Sequence, residues 1–123
     1  MRYLTARKRA EGMGASGTGT EHFWYMKVSG VGLALIVPVF LVAFGRALGG
    51  DRVEVLDRLS HPFTAILTAL LLFVGLRHFA AGAQTMIEDY SQGGTRRALI
   101  VLVTIVSYAT MAAGLFAIAK IAL

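Results

Sequence analysis

The chain reads as long uncharged stretches separated by short polar ones. From Val28 to Gly45, 18 residues pass without a charge, as VSGVGLALIVPVFLVAFG. A second run of 15 extends from Pro62 to Leu76, is interrupted by Arg77-His78, and resumes for nine residues to Ile87. The third, Ala98 to Ala119, holds 22. A helix needs about 20 predominantly apolar residues to cross a bilayer. The pattern therefore predicts an all-α membrane protein with three transmembrane helices, over about 26–48, 62–89 and 96–121. No run alternates like a strand, and none repeats another. These helices take more than half the chain and leave no length for a soluble catalytic domain.

The polar stretches predict how the helices are joined. Residues 1–20 read as a flexible arm, since MGASGTGT has the Gly/Ser/Thr composition of a linker. Residues 21–123 form the membrane domain. It opens on EHFWYMK (Glu21–Lys27), whose aromatic rings suit the headgroup layer. Ser29–Gly32, SGVG, offers small residues where another helix can come close. In the first loop, Val53, Leu56 and Leu59 are spaced for a short amphipathic helix lying on the surface. Pro62 fits a first helical turn, where its missing N–H does no harm. Gly93-Gly94 breaks the chain before the third helix.

Composition supports the membrane reading and narrows the chemistry. The chain is 56% hydrophobic and 15% charged, with a mean hydropathy of +0.66, whereas a soluble domain is about half apolar and a quarter charged. The polar, Gly-rich start and the late, long first apolar run do not match a cleaved signal peptide. With no cysteine, disulfides, thiolate metal sites and covalent haem attachment are excluded. Any cofactor must be held by His, Met or carboxylates. The net charge of +5 does not indicate nucleic acid, because the basic residues gather at membrane edges. Arg2, Arg7, Lys8, Arg9 and Lys27 precede the first helix, and Arg96 and Arg97 follow the second. Arg52 and Arg58, in the first loop, are outnumbered by Asp51, Glu54 and Asp57. Lys and Arg collect on the cytoplasmic side, which predicts a cytoplasmic N-terminus and an external C-terminus. Arg46 and Lys120 run against this and can snorkel.

The second helix carries the candidate chemistry, in RHFAAGAQTMIEDY (Arg77–Tyr90). At 100° per residue, Gly75 lies within about 60° of His78, and Gly82, Thr85 and Asp89 lie within about 40° of it. Small residues around a histidine leave room for a flat group such as a porphyrin, or for another helix. An ionisable residue in a spanning segment is costly and usually functional, yet a lone histidine can also hydrogen-bond a neighbouring helix. Arg77 beside it needs an anion. His61 is roughly 25 Å of helical rise away from His78, by the outer loop, and reads as an ordinary exposed or capping residue. His22 sits at the wrong depth to share a ligand with His78. Asp89 and Tyr90 lie about 16–18 Å beyond His78, where a phenol can donate a hydrogen bond and a carboxylate can relay protons. An interfacial tyrosine anchor beside a solvated acid is the alternative.

The pattern of His78, Gly82, Gln84, Asp89 and Tyr90 resembles the second helix of the small hydrophobic membrane anchor subunit of succinate dehydrogenase, respiratory complex II. EHFWYMKVSG is similar to that family's entry to helix one. The specific match covers roughly 25 residues in two blocks; elsewhere the likeness is of length and hydropathy. The resemblance implies a heteromeric helix bundle in a bacterial inner membrane, shared with a second, cytochrome b-type anchor subunit. It implies that His78 is one axial ligand of haem b, and so the only metal ligand this chain gives, with the other from the partner. Gly75, Gly82 and Thr85 would pack at the haem face. Lys27, where many relatives have arginine, and Arg77 would face haem propionates. Tyr90 would hydrogen-bond ubiquinone, with Asp89 shaping the polar side of that site, and Gln84 is assigned no role. The chain would anchor flavoprotein and iron–sulfur subunits and catalyse nothing by itself. Two alternatives stay open, namely a fumarate reductase anchor and a cofactor-free scaffold or transporter subunit.

Overall fold

The computed structural model describes residues 4–12 and 19–123, and contains α1 (Ala6–Glu11), α2 (Gly19–Gly45), α3 (Arg52–Ser60), α4 (Pro62–Tyr90) and α5 (Gly93–Ala122). The described residues are helical or lie in short connections, with no strand among them. Three helices, α2, α4 and α5, are long and apolar enough to cross a membrane. The hydropathy pattern located all three, but their ends differ from it. α2 begins at Gly19, since polar residues extend a helix beyond the lipid without raising hydropathy. Its 27 residues rise about 40 Å, against about 30 Å of hydrocarbon, so its first turns lie at headgroup depth. It stops at Gly45, before a turn containing Gly49 at φ 87. Within the predicted arm, Ala6–Glu11 is a helix, capped by the Thr5 hydroxyl, which accepts from Lys8 N–H at 3.1 Å.

The connections follow from local chemistry. Asp51 accepts from Glu54 N–H at 2.9 Å and starts α3. His61 accepts from Phe63 N–H at 3.3 Å at the head of α4, with Pro62 in the first turn. Only Ser91 and Gln92 join α4 to α5. Gly93 has φ 60, a left-handed conformation that glycine adopts without a Cβ penalty, so the chain reverses there into an antiparallel hairpin.

α4 is the central helix. α2 and α5 both pack on it, antiparallel, while the backbones of α2 and α5 do not meet among the described residues. α3 lies across the far ends of α4 and α5. Its Val53 is 73% exposed, so the short amphipathic helix is present with one apolar edge unpaired. The buried core is thin, with Ala65 and Leu67 near the start of α4, Met111 in α5 and Ala47 in the turn after α2. Total accessible surface is 9493 Å², whereas a soluble monomer of this mass exposes about 6,400 Å². Leu35, Ile105 and Phe116 stand outward, a surface suited to lipid or partner helices and not to water.

Small residues set the helix spacing. A Cβ on Gly114 would stand 2.9 Å from a Leu72 methyl, so α5 meets α4 closely there. Gly114→Ala should be absorbed by rotation of Leu72. Gly114→Leu should cost about 1–3 kcal/mol through overpacking, measured as a lower detergent or thermal midpoint of the membrane domain.

Candidate functional site

His78 lies about 24 Å along α4 from Pro62 and about 18 Å before Tyr90, within the hydrocarbon. A side chain with two polar nitrogens needs a partner there. α2 supplies it, because the antiparallel register brings Ser29 and Gly30 alongside. His78 Nδ1 is 2.8 Å from Ser29 Oγ. A Cβ on Gly30 would stand 3.6 Å from His78 Cε1, so the ring lies close to α2 at a point with no side chain. Ser29 is buried, and its hydroxyl donates to the Tyr25 carbonyl at 2.6 Å. Nε2 has no hydrogen-bond partner among the described residues. No group of three or more His, Asp or Glu converges among those residues.

The small-residue stripe around His78 is put to mixed use. Gly75 meets Leu33, with its virtual Cβ 3.8 Å from a leucine methyl, and Gly82 meets the Met26 methyl at 3.6 Å. Of the two occupants that the stripe allowed, α2 of the same chain covers these glycines. The reason is the same close approach that brings Ser29 to His78. Thr85 is exposed and its hydroxyl donates to the Ala81 carbonyl at 3.1 Å. Gln84 donates to Glu88 at 2.9 Å.

The two cations proposed for anion binding sit in different settings. The Lys27 ammonium is 5.3 Å from the Phe23 ring centroid, on the exposed side of α2. The Arg77 guanidinium lies over the Tyr25 ring at 5.0 Å. Neither has a carboxylate within ion-pair distance among the described residues. Arg77 and Tyr25 both line two cavities. One, of 360 Å³, is polar, with His22, Gln84 and Tyr108 among its walls and Glu21 as its acid. The other, of 300 Å³, is apolar and borders Ser29, Ile36 and Phe73. Together they make a groove that is polar toward the N-terminal end of α2 and apolar beyond Arg77.

Asp89 and Tyr90 close α4, and both are exposed, Tyr90 at 87%. They share an end of the bundle with the starts of α2 and α5. His61 is exposed and caps α4, which is the bland role expected of it. His22 lines the polar cavity, a turn away from Tyr25.

Sequence reasoning named His78 and Arg77 but missed their contacts on α2. Ser29 was read only as a small residue and Tyr25 only as part of an aromatic belt. An antiparallel alignment of α2 on α4 would have placed both opposite the polar pair.

The comparisons with known proteins agree with one another. Residues 1–112 match the family model described as the succinate dehydrogenase/fumarate reductase transmembrane subunit. A succinate dehydrogenase hydrophobic membrane anchor subunit from Paracoccus denitrificans is 44% identical over 123 residues, covering 100% of this chain and 95% of its own length. Subunits of the same description from Rickettsia conorii and Rickettsia felis are 28% and 29% identical. Each alignment covers 85% of this chain, and 85% and 88% of the respective relative. No solved structure gives a significant match.

The Arg77–Tyr25 pair yields a prediction. Tyr25→Leu should destabilise the α2–α4 pairing by about 0.5–2 kcal/mol, the range for a cation over an aromatic face. Tyr25→Phe should cost much less, read by thermal unfolding in detergent.

Proposed function

The chain belongs to the succinate dehydrogenase/fumarate reductase transmembrane subunit family and is a membrane anchor subunit of succinate dehydrogenase; from that premise we propose that it gives one axial ligand, His78, to a haem b shared with a second anchor subunit. The observation that carries the reading is an imidazole at mid-span, held by α2 through one ring nitrogen, with the other free of hydrogen-bond partners among the described residues. The donor set fits haem in two respects. A b-type haem needs no cysteine and the chain has none, and one histidine at this depth calls for one more ligand from outside. Bound there, haem supplies one-electron storage within the membrane.

This chain's residues then have distinct tasks. His78 would hold the haem iron. Arg77, with its charge uncompensated by a carboxylate of the described chain, is suited to a propionate, and Lys27 is the second candidate. Arg77 has the firmer setting, because Tyr25 fixes its guanidinium beside a cavity. A guanidinium can meet a carboxylate with two parallel N–H donors, which an ammonium cannot. Gly75 and Gly82 serve the haem only indirectly, by seating α2 against α4, and Thr85 is left for the partner-facing side. Tyr90 donates a hydrogen bond to a ubiquinone carbonyl, and Asp89 forms the polar side of the pocket. Both are exposed at the end of α4, as a wall completed by other subunits would be.

The remaining assignments follow from charge and from the relatives. Basic residues before α2 and at the start of α5 set that end of the bundle in the cytoplasm, with the C-terminus in the periplasm of a bacterial inner membrane. Flavoprotein and iron–sulfur subunits dock at the cytoplasmic end, and quinone is reduced there with cytoplasmic protons. All three relatives are named for succinate dehydrogenase, which favours succinate oxidation over fumarate reduction.

Two experiments test this. In the purified complex, His78→Ala should abolish or shift the b-type haem band in the reduced-minus-oxidised spectrum; an unchanged band removes His78 as a ligand. Tyr90→Phe should lower quinone reduction by about 2- to 10-fold, the worth of one neutral hydrogen bond, while artificial-dye reduction by the soluble subunits persists. Equal quinone turnover in variant and parent defeats the Tyr90 role.

A further inference from the structure

Ser29 is the buried polar side chain of α2, and the roles above leave it unused. Its hydroxyl has three neighbours: the Tyr25 carbonyl at 2.6 Å, the Met26 carbonyl at 3.3 Å and His78 Nδ1 at 2.8 Å. A hydroxyl owns one proton and two lone pairs, and a carbonyl oxygen can only accept. The short Tyr25 contact therefore takes the proton. Were the proton turned to Nδ1 instead, two oxygens would face each other lone pair to lone pair at 2.6 Å. Ser29 Oγ thus meets Nδ1 with a lone pair, and Nδ1 must carry the hydrogen. Neutral imidazole has a single N–H, so Nε2 is left bare.

We infer that Ser29 is a positioning residue that fixes His78 in its Nδ1–H tautomer, leaving Nε2 as the nitrogen that binds iron. The inference rests on the reading of His78 as a haem ligand and adds the device that prepares it. Gly30 completes the device. With its virtual Cβ 3.6 Å from Cε1, it lets the ring lie close against α2, and a larger side chain would push the imidazole away from Ser29. The hydrogen bond also makes the ring a stronger donor, because an N–H given to an acceptor raises electron density at the opposite nitrogen. A stronger donor favours ferric over ferrous iron. Ser29 therefore lowers the haem potential as well as orienting the ligand.

The test uses the purified complex carrying Ser29→Ala, Ser29→Thr or Ser29→Cys. The readouts are haem affinity by exchange to a scavenger, the haem midpoint potential, and the ferric paramagnetic resonance spectrum. Ser29→Ala should lose about 10–100-fold in haem affinity, the usual cost of removing a partner of a ligating histidine, and its potential should rise. Ser29→Thr keeps the acceptor and should restore both. Ser29→Cys, similar in size but a weak acceptor, should fall between. A Ser29→Ala complex with parental affinity and potential overturns the inference. Should that variant fail to assemble, equal potentials in the Thr and Cys variants overturn it instead. His78→Ala separates the two levels. If His78→Ala keeps the parental resonance spectrum, the ligand reading itself fails; if it loses that spectrum while Ser29→Ala is unchanged, only the role of Ser29 fails.

Discussion

The close antiparallel seating of α2 on α4 is the constraint on which the site depends. It is made where one helix lacks bulk opposite a side chain of the other: Gly30 faces His78, Gly75 faces Leu33 and Gly82 faces Met26. Between apolar helices in lipid there is no hydrophobic drive, so packing and interhelical hydrogen bonds must hold the pair. Ser29–His78 is such a bond, and the glycines bring the helices near enough to form it. One turn further along α2, the same seating admits Leu33 beside Gly75; one turn the other way, Tyr25 reaches Arg77. Packing and chemistry are thus one arrangement, and α5 buttresses α4 from its other side through Gly114 and Leu72.

An incomplete surface is the second theme. One histidine at mid-span, an arginine with no carboxylate partner among the described residues, an exposed tyrosine at a helix end and a wide belt of outward leucine and phenylalanine each want something from outside the chain. A shared haem, its propionates, a quinone and a second set of helices would meet those four needs. The family to which the chain belongs works as one subunit among several, and the thin core fits that way of life.

Hydropathy made the three spans readable because lipid imposes a length, and Pro62 and Gly93-Gly94 marked a helix start and a chain break through local rules that need no tertiary information. His78 stood out because an imidazole in an apolar run is costly wherever it points. What could not be read was the register between helices. A helical wheel shows that Gly75, Gly82 and Thr85 share a face with His78, but not that α2 takes the glycines and leaves the threonine outside. Nor does hydropathy follow α2 back to Gly19, since a helix leaving the lipid through Glu21, His22 and Lys27 loses its apolar signature while keeping its backbone bonds.

The Ser29 hydroxyl is satisfied by its own helix, through the Tyr25 carbonyl. α2 precedes α4 in the chain, so during synthesis it leaves the ribosome, and can enter the lipid, first. A residue needing a distant partner would sit there as an orphan and invite misplaced associations. Bonded back onto its own turn, Ser29 keeps one lone pair in reserve and can wait until the later helix arrives.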